Sequence, residues 1–140
     1  MLAQVTAAAV ASELKTLAHP AGVDSIPTSA GKEDHVSMSM AASLKASRSM
    51  TRAREVVAVD ILCACQALDL LAPLTTSPAL AAVHACVRSR VPALDDDRSP
   101  ALDIAAITEM IATGELENAC GVLVKLKIFH FQIDKTAGAS

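Results

Sequence analysis

An all-α fold, a bundle built on long helices, is what this sequence predicts, and three observations carry that reading. No glycine or proline occurs from Lys32 through Ala72, a stretch long enough for one continuous helix. A serine followed by proline recurs at Ser77-Pro78 and Ser99-Pro100, and a hydroxyl cap ahead of a first-turn proline is a helix start signal. The opening, Met1 to Lys15, is alanine-rich and also free of glycine and proline, a composition of high helix propensity.

Within that first helix Leu2, Val5, Ala9, Ser12 and Leu14 fall near one stripe, the expected packing face. Its abrupt start reads as a longer helix cut short. Ser12-Glu13-Leu14-Lys15 has the form of the Ser-x-x-Lys signature of serine acyl-enzymes. The Ser-Asp-Asn and Lys-Thr-Gly companions are absent, so a helix surface accounts for it.

From His19 to Met40 the chain carries Pro20, Gly22, Pro27 and Gly31 with hydroxyl residues between them, ahead of the acidic pair Glu33-Asp34. Prolines fix φ and restrict the residues before them, so this segment is expected to be a rigid loop. It is expected to deliver Glu33 and Asp34 onto the positive end of the following helix. In that helix Lys45, Arg48, Arg52 and Glu55 recur at spacings of three and four, defining a polar face across which Arg52 and Glu55 can pair. From Val56 to Leu68 only Asp60 and Gln66 are polar, so this half is expected to be surrounded by other protein. A helix over residues 33 to 71 would span about 58 Å, whereas a compact chain of this length has a radius of gyration of about 14 Å. The helix outreaches its own globule and calls for long helices elsewhere to pack on.

Pro73 ends it. A helix from Pro78 to Val91 follows, with Leu80, Val83, Val87 and Val91 apolar, and Pro92 stops it. Asp95-Asp96-Asp97 lacks the spaced ligands and distal glutamate of a calcium loop and reads as a solvated turn. Leu102, Ala105, Ala106, Glu109, Met110 and Ala112 carry the next helix to Thr113-Gly114, a C-terminal stop. A short helix near Glu115 runs to Gly121. The tail, 122–140, changes character: Val124 to Ile128 alternates like a strand, and both phenylalanines, Phe129 and Phe131, fall there. The helical part is therefore placed at 1–121 and a divergent tail at 122–140.

Composition narrows the function classes. The chain has 140 residues, 52% of them hydrophobic and 19% charged, with a mean hydropathy of +0.41. A domain of this size leaves about a third of its unfolded-chain surface wet, so so few charges imply apolar surface that needs a partner. The net charge of −3, scattered cations and absence of Tyr and Trp argue against nucleic acid. The run Val56 to Ala72 is too short and too interrupted for a membrane span, and Met1 to Ala11 lacks the basic region of a secretory signal. Four cysteines are too few for a disulfide scaffold and fit a reduced compartment, so the cytoplasm is expected. Cys63 and Cys65 stand two apart on a helix, hence on different faces, which argues against a zinc site with His84 and Cys86.

The segments Leu17-Ala18-His19-Pro20, Val23-Asp24-Ser25-Ile26-Pro27-Thr28-Ser29 and Glu33-Asp34-His35-Val36-Ser37-Met38 resemble the C-terminal active-site loop of histidine ammonia-lyase and its aromatic amino-acid lyase relatives, over residues 17–38. The similarity extends through Gln4 to Ala8 upstream and Ala64 to Leu70 downstream, and fades by Gly121. It implies part of an L-aspartase-like helical fold, a homotetramer of long helices, and active sites shared between subunits. It also implies that this chain is only part of the enzyme, which releases ammonia from an aromatic amino acid.

Lyases of this family use an electrophilic methylidene-imidazolone built from an Ala-Ser-Gly tripeptide, with a tyrosine as base. This sequence contains neither Ala-Ser-Gly nor any tyrosine, so no cofactor is expected in this chain and no activity from it alone. By resemblance, Glu33 is the substrate-facing carboxylate, with Ser29, Lys32, Asp34 and His35 around it in the substrate loop. Glu-Asp-His-Val-Ser is the histidine-type version, and an acidic group suits an imidazole that donates a hydrogen bond or carries charge. Tyrosine and phenylalanine are the alternative substrates. Gly31-Lys32 stands where the family has Asn-Gln, and Lys32 is positioned by sequence to pair with Glu33. His19 and His35 are expected to hydrogen-bond within the loop; His84 and His130 have no evident partner. The expected partners are the N-terminal lyase part or further copies of the chain. The alternative reading is a non-catalytic helical interaction module or degenerate remnant.

Overall fold

The computed structural model describes residues 2–121, and these form five α-helices, α1 Leu2–Leu17, α2 Ser39–Leu70, α3 Pro78–Arg88, α4 Ala101–Thr113 and α5 Glu115–Cys120, with two short 3-10 turns, Ala21–Val23 and Ser29–Gly31, in the loop between the first two. No strand occurs among them. The strand-like alternation from Val124 to Ile128, His130 and the rest of the tail lie outside the described residues.

α2 is the axis of the bundle. At 32 residues it is about 48 Å long, shorter than expected because it starts at Ser39 rather than at Glu33. α1 runs back along it: Glu13 near the end of α1 meets Arg52 of α2 at 3.1 Å, while Leu2 and Ala3 share a cleft with Leu62 and Gln66. The basic stripe of α2 is therefore an interface with α1. Arg48 and Arg52 both reach Glu13, Arg52 also pairs with Glu55 at 2.7 Å as expected, and Lys45 donates to the His19 carbonyl. Such half-exposed pairs are worth at most about 1 kcal/mol each; their use is to fix the pairing of the two helices.

The packing face of α1 differs from the predicted stripe. Ala3 and Ala7 pack on the core and Val10, Leu14 and Leu17 are half-buried, whereas Leu2 and Val5 are 65% and 59% exposed. Steps of four and three from Ala3 to Leu17 make the seam that a helix presents to one long neighbour. Small alanines in it let the two backbones approach.

The core sits where α4 packs on α2 and α3 packs on α5. Ile107 and Met110 of α4, Val87 of α3, Val91 just beyond it and Ala58 of α2 are fully buried, with Val59, Cys65 and Leu116 nearly so. Ser77 caps α3 by accepting the Leu80 N–H at 3.4 Å, with Pro78 in the first turn. α3 ends at Arg88, before Val91. The link to α4 is fastened by Gln66, whose side-chain oxygen accepts the Leu94 N–H at 2.8 Å. Asp95, Asp96 and Asp97 in that link are exposed, as a solvated turn requires. At the start of α4 the cap residue is Pro100, with Ser99 Oγ accepting from the Ala101 N–H at 3.4 Å; buried Asp103 in the first turn pairs with Arg98. Gly114, at φ 78°, closes α4 where the sequence expects it, since a left-handed C-terminal stop favours glycine.

The second half of α2 is covered on one side only. Ala58, Val59 and Cys65 are buried, but Val57 is 47% and Leu70 78% exposed. Met40, Leu44 and Met50 are exposed along the first half. No helix among the described residues is long and apolar enough to cross a membrane.

Candidate functional site

The loop between α1 and α2 is closed by two clasps, one inside the other. In the outer clasp Ser25 Oγ accepts the Val36 N–H at 2.8 Å and donates to the Val36 carbonyl at 3.1 Å. In the inner clasp Thr28 and Glu33 form an antiparallel bridge, with the Thr28 N–H donating to the Glu33 carbonyl at 2.9 Å and the Glu33 N–H to the Thr28 carbonyl at 3.4 Å. Between them, Gly31 and Lys32 donate to the Thr28 and Ser29 carbonyls at 3.1 and 3.2 Å. The loop thus satisfies several of its own backbone groups internally.

That shape carries strain. Ser29 and Ala30 lie at φ 54° and 55°, the left-handed region in which a Cβ crowds the following carbonyl, and Gly31 follows at φ 80°. Only the third of these is the residue that geometry favours. Strained backbone of this kind persists where surrounding bonds over-determine it and is concentrated at functional sites.

The five residues singled out by sequence are all exposed. Ser29, Lys32 and Glu33 gather at the tip inside the inner clasp, and Asp34 and His35 stand on the arm returning toward Val36. The Glu33 carboxylate accepts from the Thr28 hydroxyl, Oγ1 to Oε2 at 3.3 Å. Two clefts among the described residues, about 530 and 520 Å³, are lined by none of these five. At the tip the Glu33 carboxylate is exposed and bonded by the Thr28 hydroxyl.

Three expectations about the loop are corrected. Glu33 and Asp34 do not sit at a helix start: α2 begins at Ser39, and its first turn contains no acidic residue. The inner clasp is the reason, because it engages the N–H and carbonyl of Glu33 in a bridge. Among the described residues Lys32 makes no ion pair with Glu33, whose partner is the Thr28 hydroxyl. His19 engages through its carbonyl, which Lys45 reaches, and no side-chain hydrogen bond of His19 or His35 occurs among the described residues.

Sequence reasoning missed a polar cluster at the far end of α2. Asp69 lies 2.8 Å from His84 Nε2 and accepts from Arg88 Nε and Nη2 at 2.9 and 2.6 Å. Arg88 also donates to the carbonyls of Val91 and Pro92. Partial desolvation opposes the Asp69 charge, but the bonds from Arg88 and His84 outweigh it and hold the carboxyl below its usual range. Burial pushes the neighbouring Cys65 thiol up. The readable signal was His84 and Arg88, four apart on one face of α3, opposite the last carboxylate of an apolar half-helix. Among the described residues no group of His, Cys, Asp or Glu is placed to hold a metal ion.

The sequence profile of the aromatic amino acid lyase family matches residues 1–89, a span that contains the whole loop. The chain is 52% identical over 117 residues to histidine ammonia-lyase from Anaeromyxobacter sp. (strain K), covering 84% of this chain and 23% of that enzyme. It is 49% identical over 116 residues to histidine ammonia-lyase from Myxococcus xanthus, covering 83% and 23%. The fold superposes on the crystal structure of histidine ammonia-lyase from Trypanosoma cruzi with a TM-score of 0.82 at 40% identity, covering 86% of this chain and 24% of that one. It matches tyrosine aminomutase from Streptomyces globisporus with a TM-score of 0.80 at 33% identity, covering 85% and 23%. The chain spans about a quarter of the length of these relatives.

Proposed function

The chain belongs to the aromatic amino acid lyase family, and from that premise we propose that it is the C-terminal part of a histidine ammonia-lyase-type enzyme, which eliminates ammonia from L-histidine to give urocanate. Its contribution is Glu33, presented at a clasped loop tip to a pocket completed by other polypeptide. The observation that carries this reading is the family match over 1–89, which takes in a loop whose exposed carboxylate is already oriented by Thr28.

The division of chemistry follows from what the residues can do. Eliminating an amine requires a base beside the carbon that loses its proton and an electrophile that activates the leaving group, in register. The family's electrophile derives from Ala-Ser-Gly and its base is a tyrosine. The 140 residues contain neither, so both functions fall to the N-terminal part of the enzyme. Glu33 can accept a hydrogen bond from an imidazole or ammonium and hold the substrate against that machinery. The exposed apolar residues of α2, Met40, Leu44, Met50 and Val57, supply the surface on which the N-terminal part and further copies pack into a cytoplasmic homotetramer.

Two observations favour secondary readings. The likeness to a tyrosine aminomutase supports tyrosine or phenylalanine as the alternative substrate. Gly31-Lys32 in place of the family's Asn-Gln supports a degenerate, non-catalytic helical module as the alternative to a working part. Co-expression with the N-terminal part of a histidine ammonia-lyase separates them. The expected result is urocanate formation that falls at least about a hundredfold on Glu33→Ala; failure to associate, or turnover indifferent to Glu33, would favour the non-catalytic module.

A further inference from the structure

We propose that Thr28 is a positioning residue for Glu33, holding the carboxylate in the one orientation from which it can meet substrate. The proposal rests on the reading of Glu33 as the substrate-facing group. An exposed glutamate has rotatable bonds enough to wander over several ångströms, and a reacting geometry tolerates little of that. Something has to hold it.

Within the described residues the Glu33 carboxylate has one hydrogen-bond partner, the Thr28 hydroxyl at 3.3 Å from Oε2. The other oxygen, Oε1, makes no hydrogen bond among the described residues, and in this proposal it accepts from the substrate. The same residue also sets the backbone beneath the carboxylate. Its N–H bonds the Glu33 carbonyl, and its carbonyl receives the N–H groups of both Gly31 and Glu33. Thr28 is extended, φ −132° and ψ −179°, a conformation that β-branched side chains favour. Directly after it come the two left-handed non-glycine residues, Ser29 and Ala30, so the strain of the tip is held across this one clasp. Backbone bridge and side-chain bond thus converge on a single pair, Thr28 and Glu33.

Two features of threonine, its β-branch and its hydroxyl, separate cleanly by substitution. Thr28→Val keeps the branch and removes the donor; Thr28→Ser keeps the donor. In the 140-residue chain, nuclear magnetic resonance couplings across the Cα–Cβ bond of Glu33 should report one dominant rotamer in the parent and in Thr28→Ser, and rotamer averaging in Thr28→Val, with the amide shifts of residues 29–32 little changed. In the reassembled enzyme Thr28→Val should lower kcat about tenfold, the usual effect of losing one such hydrogen bond, with KM nearly unchanged and recovery in Thr28→Ser. On a Glu33→Ala background the Thr28→Val loss should vanish, because the two residues act as a unit. Glu33 couplings in Thr28→Val identical to the parent, or no recovery by serine, would overturn the proposal. Absence of turnover in the reassembled enzyme would sink the lyase reading, while the couplings would still judge Thr28.

Discussion

Ala30 shows what a single residue can reveal about a site. It occupies φ 55° and ψ 38°, where a Cβ costs roughly 1–2 kcal/mol, while glycine there would favour the unfolded chain by about 0.4–1 kcal/mol through added entropy. Ala30→Gly should therefore stabilise the chain by about 0.5–1 kcal/mol, seen as a higher urea midpoint in an equilibrium melt. Asp69 makes the second residue-scale prediction. Its carboxyl is held below the ordinary value of 3.8 by Arg88 and His84 against partial desolvation, so its contribution is fully present above that value and is lost as pH falls through the folded one. Urea midpoints should drop as pH falls below about 4, and Asp69→Asn should flatten that drop; an unchanged slope would detach the cluster from stability. That Glu33 lies in a proline-stiffened loop was legible in the sequence, because its neighbours form a recognisable segment. Its orientation was not, because a threonine hydroxyl five positions earlier leaves no periodic signal, and Asp69 meets His84 and Arg88 only across a helix turnaround.

Helix ends were easier to read than helix faces. Pro78, Gly114 and Gly121 mark boundaries found in the fold, since prolines and left-handed glycines act through local backbone geometry. The start of α2 was misplaced because a stretch without glycine or proline permits a helix without requiring one, and the Thr28 to Glu33 bridge claims the first part of it. The face of α1 was misread because its larger apolar residues, Leu2 and Val5, point outward, and the seam is made by alanines whose burial has little hydropathic signature. Two predictions belong to this scale. Ile107 is fully buried in the helix that joins the core, so Ile107→Ala should cost about 2–5 kcal/mol by denaturant melting. Ser77→Ala should cost about 0.5–1 kcal/mol, at the low end for a cap because the bond to Leu80 is 3.4 Å and exposed.

For the molecule as a whole, low charge and exposed apolar surface state the same requirement. With 19% charged residues and Met40, Leu44, Met50 and Leu70 all more than half exposed, the described helices cover α2 on one side and leave apolar residues on the other exposed. The chain is about a quarter of the length of its relatives and contains neither Ala-Ser-Gly nor tyrosine, the residues on which the proposed chemistry draws, while Glu33 in its loop is exposed. The central claim, a substrate-holding carboxylate offered to machinery on other polypeptide, is tested most directly by ammonia release from L-histidine. The purified chain should release none, and adding the N-terminal part of a histidine ammonia-lyase should start turnover. Ammonia release by the chain alone would contradict the account.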